Sequence, residues 1–366
     1  VPTDRYARQS RLPEIGPEGT AALRAGRVLV VGCGALGSVA SELLARAGVG
    51  TLAIVDRDTV EASNLSRQFL FDETDARRGV PKAEAAKARL AKVNAEVRVR
   101  AFVDDLGPAN VRRYLSEVDL VVDGLDNLET RYLLNDAAVE AGIPYVYGAA
   151  VGTAGMFGTI LPKPRAGLAP RRIRWPASRA TPCLRCLFPD LPPPGSLPTC
   201  ESAGVLGPAT ATIASFEAAE AIKLLVGDFA AVERGLVEID LWRGRFVRRE
   251  RGDAFDPDCP ACGRGEFPSL RASAAPRAAP LCGRNATRLE TGRAPDLDAV
   301  LARLQPFGSF VRLDGRVEGR FAPEVAAEFG SESEAGLTVF ADGAIVVRGT
   351  DDPERARSLV ARFVGT

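Results

Sequence analysis

Histidine is absent from all 366 residues, and methionine occurs once. Without imidazole there is no Ser-His-Asp or Cys-His catalysis and no His-ligated metal, so any reaction must proceed without an imidazole base. Net charge is missing too: 47 Lys+Arg balance 47 Asp+Glu. No basic excess points to nucleic acid or to a membrane surface. No apolar run approaches the roughly 18 residues that a membrane-spanning helix requires. The start of the chain lacks the apolar core of a signal peptide. These absences lead to the expectation of a cytoplasmic protein that engages neither nucleic acid nor membrane.

What is present supports a sizeable core. Hydrophobic residues make up 46% of a chain long enough for more than one domain. The cysteines number seven, an odd count. In a reducing compartment, metal or catalytic roles compete better than disulfides.

The strongest local signal is Gly32-x-Gly34-x-x-Gly37. The apolar run Arg27–Val31 leads into it, and Leu36, Val39, Ala40, Leu43, Leu44 and Ala47 follow at helical spacing. Strand, glycine turn and helix are expected in that order. Gly32 permits a tight turn, Gly34 lets a phosphate approach the backbone, and Gly37 lets helix and strand pack closely. The helix start, with Ala35 in the loop before it, offers N–H groups and partial positive charge to an anion. A second strand, Thr51–Val55, ends in Asp56, placed to bond ribose hydroxyls. A glycine turn that serves packing alone is the competing reading.

The following segments continue the alternation. Lys82–Val93 reads as a helix behind Pro81, 97–102 as a strand, and 118–122 as an apolar strand leading to Asp126-Asn127. Leu128–Ala141 reads as a helix and 144–150 as a strand. This pattern predicts an α/β fold, a doubly wound, mostly parallel Rossmann-like sheet whose ligands sit at the carboxyl ends of the strands. A Pro- and Arg-rich stretch, 162–198, then interrupts it and is too long for an ordinary connection. Gly207–Val226 reads as a helix, and 237–241 with Arg245–Arg249 as an antiparallel extension. The expected division is a first domain over 1–263, a linker over 264–280 and a small α+β domain over 281–366. In the tail, Asp296 is placed to cap a helix, Asp342-Gly343 marks a hairpin and 352–364 reads as a closing helix.

The glycine loop with Asp56 fits NAD as well as ATP. Asp58, Asn64, Arg67 and Lys82 follow it, and Asp126 arrives from the fourth strand. Carboxylates, cations and an amide at one sheet edge suit a triphosphate with magnesium, and Asp126 could hold the metal. Cys183-x-x-Cys186 and Cys259-x-x-Cys262 would form a closed tetrahedral zinc site if they converge. A redox pair or buried cysteines are the alternatives. Cys33 reads as a small apolar filler, and Cys282 is unexplained beyond packing.

Together, Arg5-Tyr6-x-Arg8-Gln9, the glycine loop, Asp56-x-Asp58, Ser63-Asn64-Leu65-x-Arg67-Gln68, Pro81-Lys82, Asp126-Asn127, both cysteine pairs and Thr199-Cys200-x-x-Ala203-Gly204-Val205 occur in family order. Over roughly residues 5–263 the chain closely resembles the MoeB/ThiF branch of the ubiquitin-activating enzyme superfamily. The resemblance implies ATP-dependent adenylation of the C-terminal Gly-Gly carboxylate of a ubiquitin-like sulfur carrier. A carboxylate nucleophile is already ionised, which makes the absence of histidine tolerable.

By matching position, Asp56 would hold the ribose, Asp126 the magnesium, and Asn64, Arg67 and Lys82 the phosphates. Gln68 and Asn127 belong to the same nucleotide set, and Asp58 would serve the magnesium or support its ligands. Arg8 matches an arginine that family members insert into the partner subunit's site, which implies a homodimer. The two cysteine pairs would hold zinc and staple the long crossover. Cys200 stands where some members form a covalent link to the carrier and others need none. The tail resembles a small appended domain and carries no sulfurtransferase loop, so sulfur is expected from a separate donor. Two other readings stay open: an NAD-dependent oxidoreductase and a non-catalytic carrier-binding scaffold.

Overall fold

The computed structural model describes residues 5–164, 172–189, 203–250, 255–271, 279–281, 285–290, 294–326, 335–352, 355–356, 359–360 and 363–364. Cys200 and Cys282 lie outside the described residues. Contacts divide the chain into two compact units, Val1–Ala272 and Ser273–Thr366.

The first unit is built on an eight-stranded sheet. Its strands are β1 (Arg27–Val31), β2 (Thr51–Val55), β3 (Arg98–Phe102), β4 (Leu120–Asp123), β5 (Tyr145–Val151), β6 (Ala154–Ile160), β7 (Leu236–Asp240) and β8 (Arg245–Arg249). The spatial order is β3-β2-β1-β4-β5-β6-β7-β8. Strands β1 to β5 pair in parallel, and β6 to β8 add the antiparallel extension. Strand order reverses between β1 and β4, and a doubly wound sheet opens its ligand crevice at such a switch point.

Near-continuous apolar runs form β1, β2 and β4 because both faces of the sheet are covered. Val28 and Val30 face one core, with Leu44 of the helix Gly37–Ala47, Leu90 of Lys82–Val93 and Leu224 of Gly207–Val226. Leu29 and Val31 face the other, with Leu115 of Val111–Ser116 and Leu133 and Leu134 of Leu128–Ala141. Full burial of each such side chain contributes about 1.5–3 kcal/mol.

The segment before β1 is anchored. Tyr6 is buried and occupies the space beside Gly48, where a Cβ would lie 2.6 Å from its ring. Its hydroxyl accepts from Asn94 Nδ2 at 2.8 Å, and Gln9 Nε2 donates to Ala47 O at 3.0 Å. The sequence, with its scattered apolar residues, reads here as an arm and a helix. The helix is Gly16–Ala25, and one aromatic ring fixes the arm.

The second unit is a six-stranded antiparallel sheet in the order β11-β12-β13-β14-β10-β9. Its strands are β9 (Ala279–Leu281), β10 (Ala286–Glu290), β11 (Gly308–Leu313), β12 (Arg316–Phe321), β13 (Gly336–Phe340) and β14 (Ala344–Arg348). The helix Leu297–Leu304 is capped by Asp296, whose Oδ1 accepts from the backbone N–H of Asp298 and Ala299. Its Val300 and Leu304 join Val317, Val339, Val347 and Phe363 in one core. Asp314-Gly315 turns β11 into β12, a second hairpin signal of the same type as Asp342-Gly343 that sequence reading passed over.

Candidate active site and metal centre

Gly32 leaves β1 with φ +84°, and a Cβ there would lie 2.5 Å from Gly124 O. A Cβ on Gly37 would lie 1.8 Å from Gly32 O. Both positions are therefore closed to any larger residue. Gly34 is the opposite: a Cβ would meet nothing nearer than Gln68 Nε2 and Gly124 O, each at 3.9 Å. The loop thus presents an open backbone surface at the start of the helix Gly37–Ala47, the arrangement that receives a phosphate. Gln68 is buried beside this surface, and its Oε1 has no hydrogen-bond partner among the described residues. An unsatisfied buried acceptor at that place fits a ligand that donates to it.

Asp56 directly follows β2 and is buried. Its Oδ2 accepts from Cys33 N at 2.6 Å and its Oδ1 from Asp58 N at 2.7 Å. These bonds lock the carboxylate against the glycine loop, with lone pairs left for ribose hydroxyls. Burial pushes its carboxyl above the usual range, against the pull of Lys82. Lys82 is itself buried and donates from Nζ to Asp58 Oδ2 at 3.0 Å. Burial would lower the Lys82 ammonium, but Asp58, Asp56 and Asp126 outweigh it and hold the group above its ordinary value. Arg57 reaches Asp105 at 3.2 Å and Asp58 at 3.9 Å, adding a second cation that sequence reading missed.

The 3-10 turn Ala62–Asn64 carries the next group. Asn64 is buried, and its Oδ1 accepts from Glu61 N at 3.1 Å. Arg67 donates one N–H to Ser63 O at 2.9 Å. Asp126 is exposed in the turn that follows β4. Asn127 accepts from Thr130 N at 2.9 Å and so caps the helix Leu128–Ala141, a role its place in the nucleotide set did not suggest. Gly32, Gly34, Ala35, Gly37, Asp56, Asp58, Asn64, Arg67, Gln68, Lys82, Asp126 and Asn127 therefore all belong to the carboxyl edge of β1, β2 and β4 or to the loops that leave it. Arg8 is apart from them: it is exposed and its side chain makes no hydrogen bond or ion pair with described residues.

The second centre gathers Cys183, Cys186, Cys259 and Cys262, whose sulfurs all lie within 4.8 Å of one another. Individual separations are 3.6 Å for Cys183–Cys259, 4.0 Å for Cys183–Cys186 and 3.2 Å for Cys186–Cys262. Zn–S bonds of about 2.3 Å in a tetrahedron set sulfurs about 3.8 Å apart, so the cluster fits a closed four-thiolate zinc site. Hydrogen bonding among the sulfurs draws Cys186 and Cys259 toward the thiolate and holds Cys183 in the thiol form. Neither pair is placed by its own spacing alone. Asn135 Oδ1 accepts from Leu184 N at 2.8 Å, and Asp136 holds Arg185 at 2.7 Å and Ser269 N at 2.9 Å. These two residues of the helix Leu128–Ala141 fasten the first cysteine segment and the helix Pro268–Arg271 that follows the second to the same support, and nothing in their local sequence marks them for it.

The chain matches the ThiF family over residues 6–261. It is 36% identical to the sulfur carrier protein ThiS adenylyltransferase of Bacillus subtilis over 365 residues, covering 99% of this chain and all of that one. It is 42% identical to the sulfur carrier protein adenylyltransferase of Thermus thermophilus over 264 residues, covering 71% of this chain and 90% of the relative. Among solved structures, E. coli MccB with MccA-N7isoASN shares the fold, with a TM-score of 0.57 and 24% identity over 72% of this chain and 75% of that one.

Proposed function

The chain belongs to the ThiF family, and we propose that it uses ATP to adenylate the C-terminal Gly-Gly carboxylate of a ubiquitin-like sulfur-carrier protein. The observation that carries this reading is the open surface at Gly34, flanked by the unpartnered Gln68 Oε1 and by a buried, charged Lys82. The names of the two bacterial relatives point to the same activity. The oxidoreductase reading has no counterpart in them.

In the proposed reaction a carboxylate oxygen of the carrier bonds to the α-phosphorus of ATP, and the bond from that phosphorus to the bridging oxygen of pyrophosphate breaks. No proton has to move, so no imidazole is needed. The difficulty is electrostatic, an anion approaching an anion, and fixed cations meet it. Lys82 and Arg67 face the phosphates, while Asp56 and Asn64 orient the nucleoside and phosphate chain. Magnesium held by Asp126, with Asp58 near it, would screen the phosphates and stabilise departing pyrophosphate. Arg8 reaches into the site of a second subunit in a homodimer, which accounts for a guanidinium left in solvent two residues beyond an anchored tyrosine. Zinc at the four cysteines is structural. The reaction belongs in the cytoplasm, where ATP and reduced thiols coexist, with sulfur supplied to the carrier by a separate donor.

The test is ATP–pyrophosphate exchange with a panel of purified Gly-Gly carriers. Exchange should appear with one carrier and vanish when its terminal glycine is removed. A chain that binds ATP but exchanges with no carrier, whatever its source, would leave the scaffold reading in place.

A further inference from the structure

Strand β4 stops at Asp123, while β5 continues to Val151 to pair with β6. Between β4 and β5 the register covers only Val121 with Tyr145 and Val122 with Val146. Among the described residues, the next stretch of β5 therefore pairs with no strand on that side. Arg131 closes the gap. Its Nη2 donates to Leu125 O at 2.6 Å and to Gly148 O at 2.8 Å, and its Nε donates to Asp123 Oδ2 at 3.1 Å. The same Asp123 Oδ2 accepts from Tyr145 OH at 2.5 Å, and Asp123 Oδ1 accepts from Leu125 N at 2.9 Å. The guanidinium also lies 5.4 Å from the Tyr147 ring centroid. Its side chain is 8% exposed.

Among the described residues, every hydrogen-bond or ring partner of Arg131 is thus the end of β4, the turn after it or β5. None is a group that could leave with a substrate. The turn itself has no slack toward the glycine loop: Gly124 N donates to Val31 O at 2.7 Å, and a Cβ on Gly124 would lie 2.1 Å from Gly32 O. Fixing Leu125 from behind fixes the backbone of Asp126, the next residue, relative to the phosphate cradle. We infer that Arg131 is a positioning residue that holds Asp126 in place for a magnesium–nucleotide complex. A lysine retains the charge but not the fork that spans a carboxylate and two carbonyls.

This inference rests on the nucleotide role of the edge, and its test does not require catalysis. ATP binding is measured by calorimetry with magnesium and with EDTA, for the wild type, Arg131→Lys and Tyr145→Phe, each at a temperature where circular dichroism shows it folded. Wild type should bind more tightly with magnesium. In Arg131→Lys the magnesium-dependent gain should shrink by about 10-fold, as for residues that support a metal ligand, while affinity in EDTA stays unchanged. Tyr145→Phe removes one bond to Asp123 and should shift the gain in the same direction by less. If Arg131→Lys does not fold, the tyrosine variant decides alone. Melting temperatures that fall while the magnesium gain stays at the wild-type value would make Arg131 a core ion pair and overturn the inference, as would a wild type that gains nothing from magnesium. A wild type with the expected gain but no exchange with any carrier would instead overturn the proposed reaction.

Discussion

The glycine-loop edge and the cysteine cluster are built on opposite plans within one unit. At the edge, polar side chains are tied to backbone before any ligand arrives: Asp56 to Cys33 and Asp58, Asn64 to Glu61, Asn127 to Thr130. The space above Gly34 stays open. In the cluster, the sulfurs crowd one another, and hydrogen bonds run between the cysteine side chains themselves. An edge held by its scaffold should survive loss of a functional group. If the four thiolates close on a zinc ion, the loss of one should cost stability.

The sharpest contrast comes from Asp126, which is exposed and makes no hydrogen bond through its side chain among the described residues. Asp126→Ala should abolish carrier-dependent exchange, yet change stability by no more than about 0.5 kcal/mol, as for a surface substitution. Exchange near the wild-type rate would place the metal-binding carboxylate elsewhere. Arg8→Ala should lower the rate about 100- to 1000-fold, the loss typical of one donor to a developing charge. Mixing it with Asp126→Ala and allowing subunits to exchange should restore up to about a quarter of wild-type activity, since random assortment makes half the dimers hybrid with one complete site each. Activity that stays at the level of the parents despite proven exchange would mean that Arg8 does not act across a dimer.

At the cluster the order of effects reverses. Cys262→Ser should lower zinc content and cost on the order of 3 kcal/mol, because metal-binding energy is folding energy. Exchange by the fraction still folded should remain. Full zinc occupancy in the variant would end the four-cysteine assignment.

The two regions also differ in how they read from sequence. The edge is local: strand, glycine turn and helix lie within 21 residues, Arg27–Ala47, and each position announces its job by residue type. The cysteine pairs announce a metal, but 76 positions separate Cys183 from Cys259, and only the fold brings them together. What stayed hidden was charge inside the core. Asp136, Arg131, Asp123 and Glu217 look like solvated residues in a string of letters, yet all are buried. Asp123 and Arg131 pair with each other, with Tyr145 and with backbone, Asp136 pairs with Arg185 and Ser269 N, and Glu217 has no hydrogen-bond partner among the described residues, arrangements that no spacing rule predicts. Tyr6 was hidden for the converse reason. Its pocket is an absence, the missing Cβ of Gly48.

Glu217 gives the finest test of how the core treats charge. Asp123 is compensated by Arg131 and Tyr145. Glu217, on the long helix Gly207–Val226, is fully buried, its two carboxyl oxygens have no hydrogen-bond partner among the described residues, and it fills the space that a side chain on Gly148 would take. Burial first, then the negative charge of Asp123, push its carboxyl well above the ordinary value of 4.5, against the opposing pull of Arg131. The folded protein therefore keeps the proton over a range where the unfolded chain has released it. Below about pH 4.5 both states are protonated and Glu217 has no effect on pH dependence. Above that value the unfolded state binds fewer protons, so stability falls as pH rises, with a slope approaching about 1.4 kcal/mol per pH unit until the folded group also ionises. Glu217→Gln removes this slope. Urea unfolding of both proteins at pH 5 and pH 8 should show the variant gaining on the wild type at the higher pH. A difference that is the same at both values would mean that the folded core accepts the Glu217 charge as readily as water does, and that Glu217 and Asp123 are treated alike.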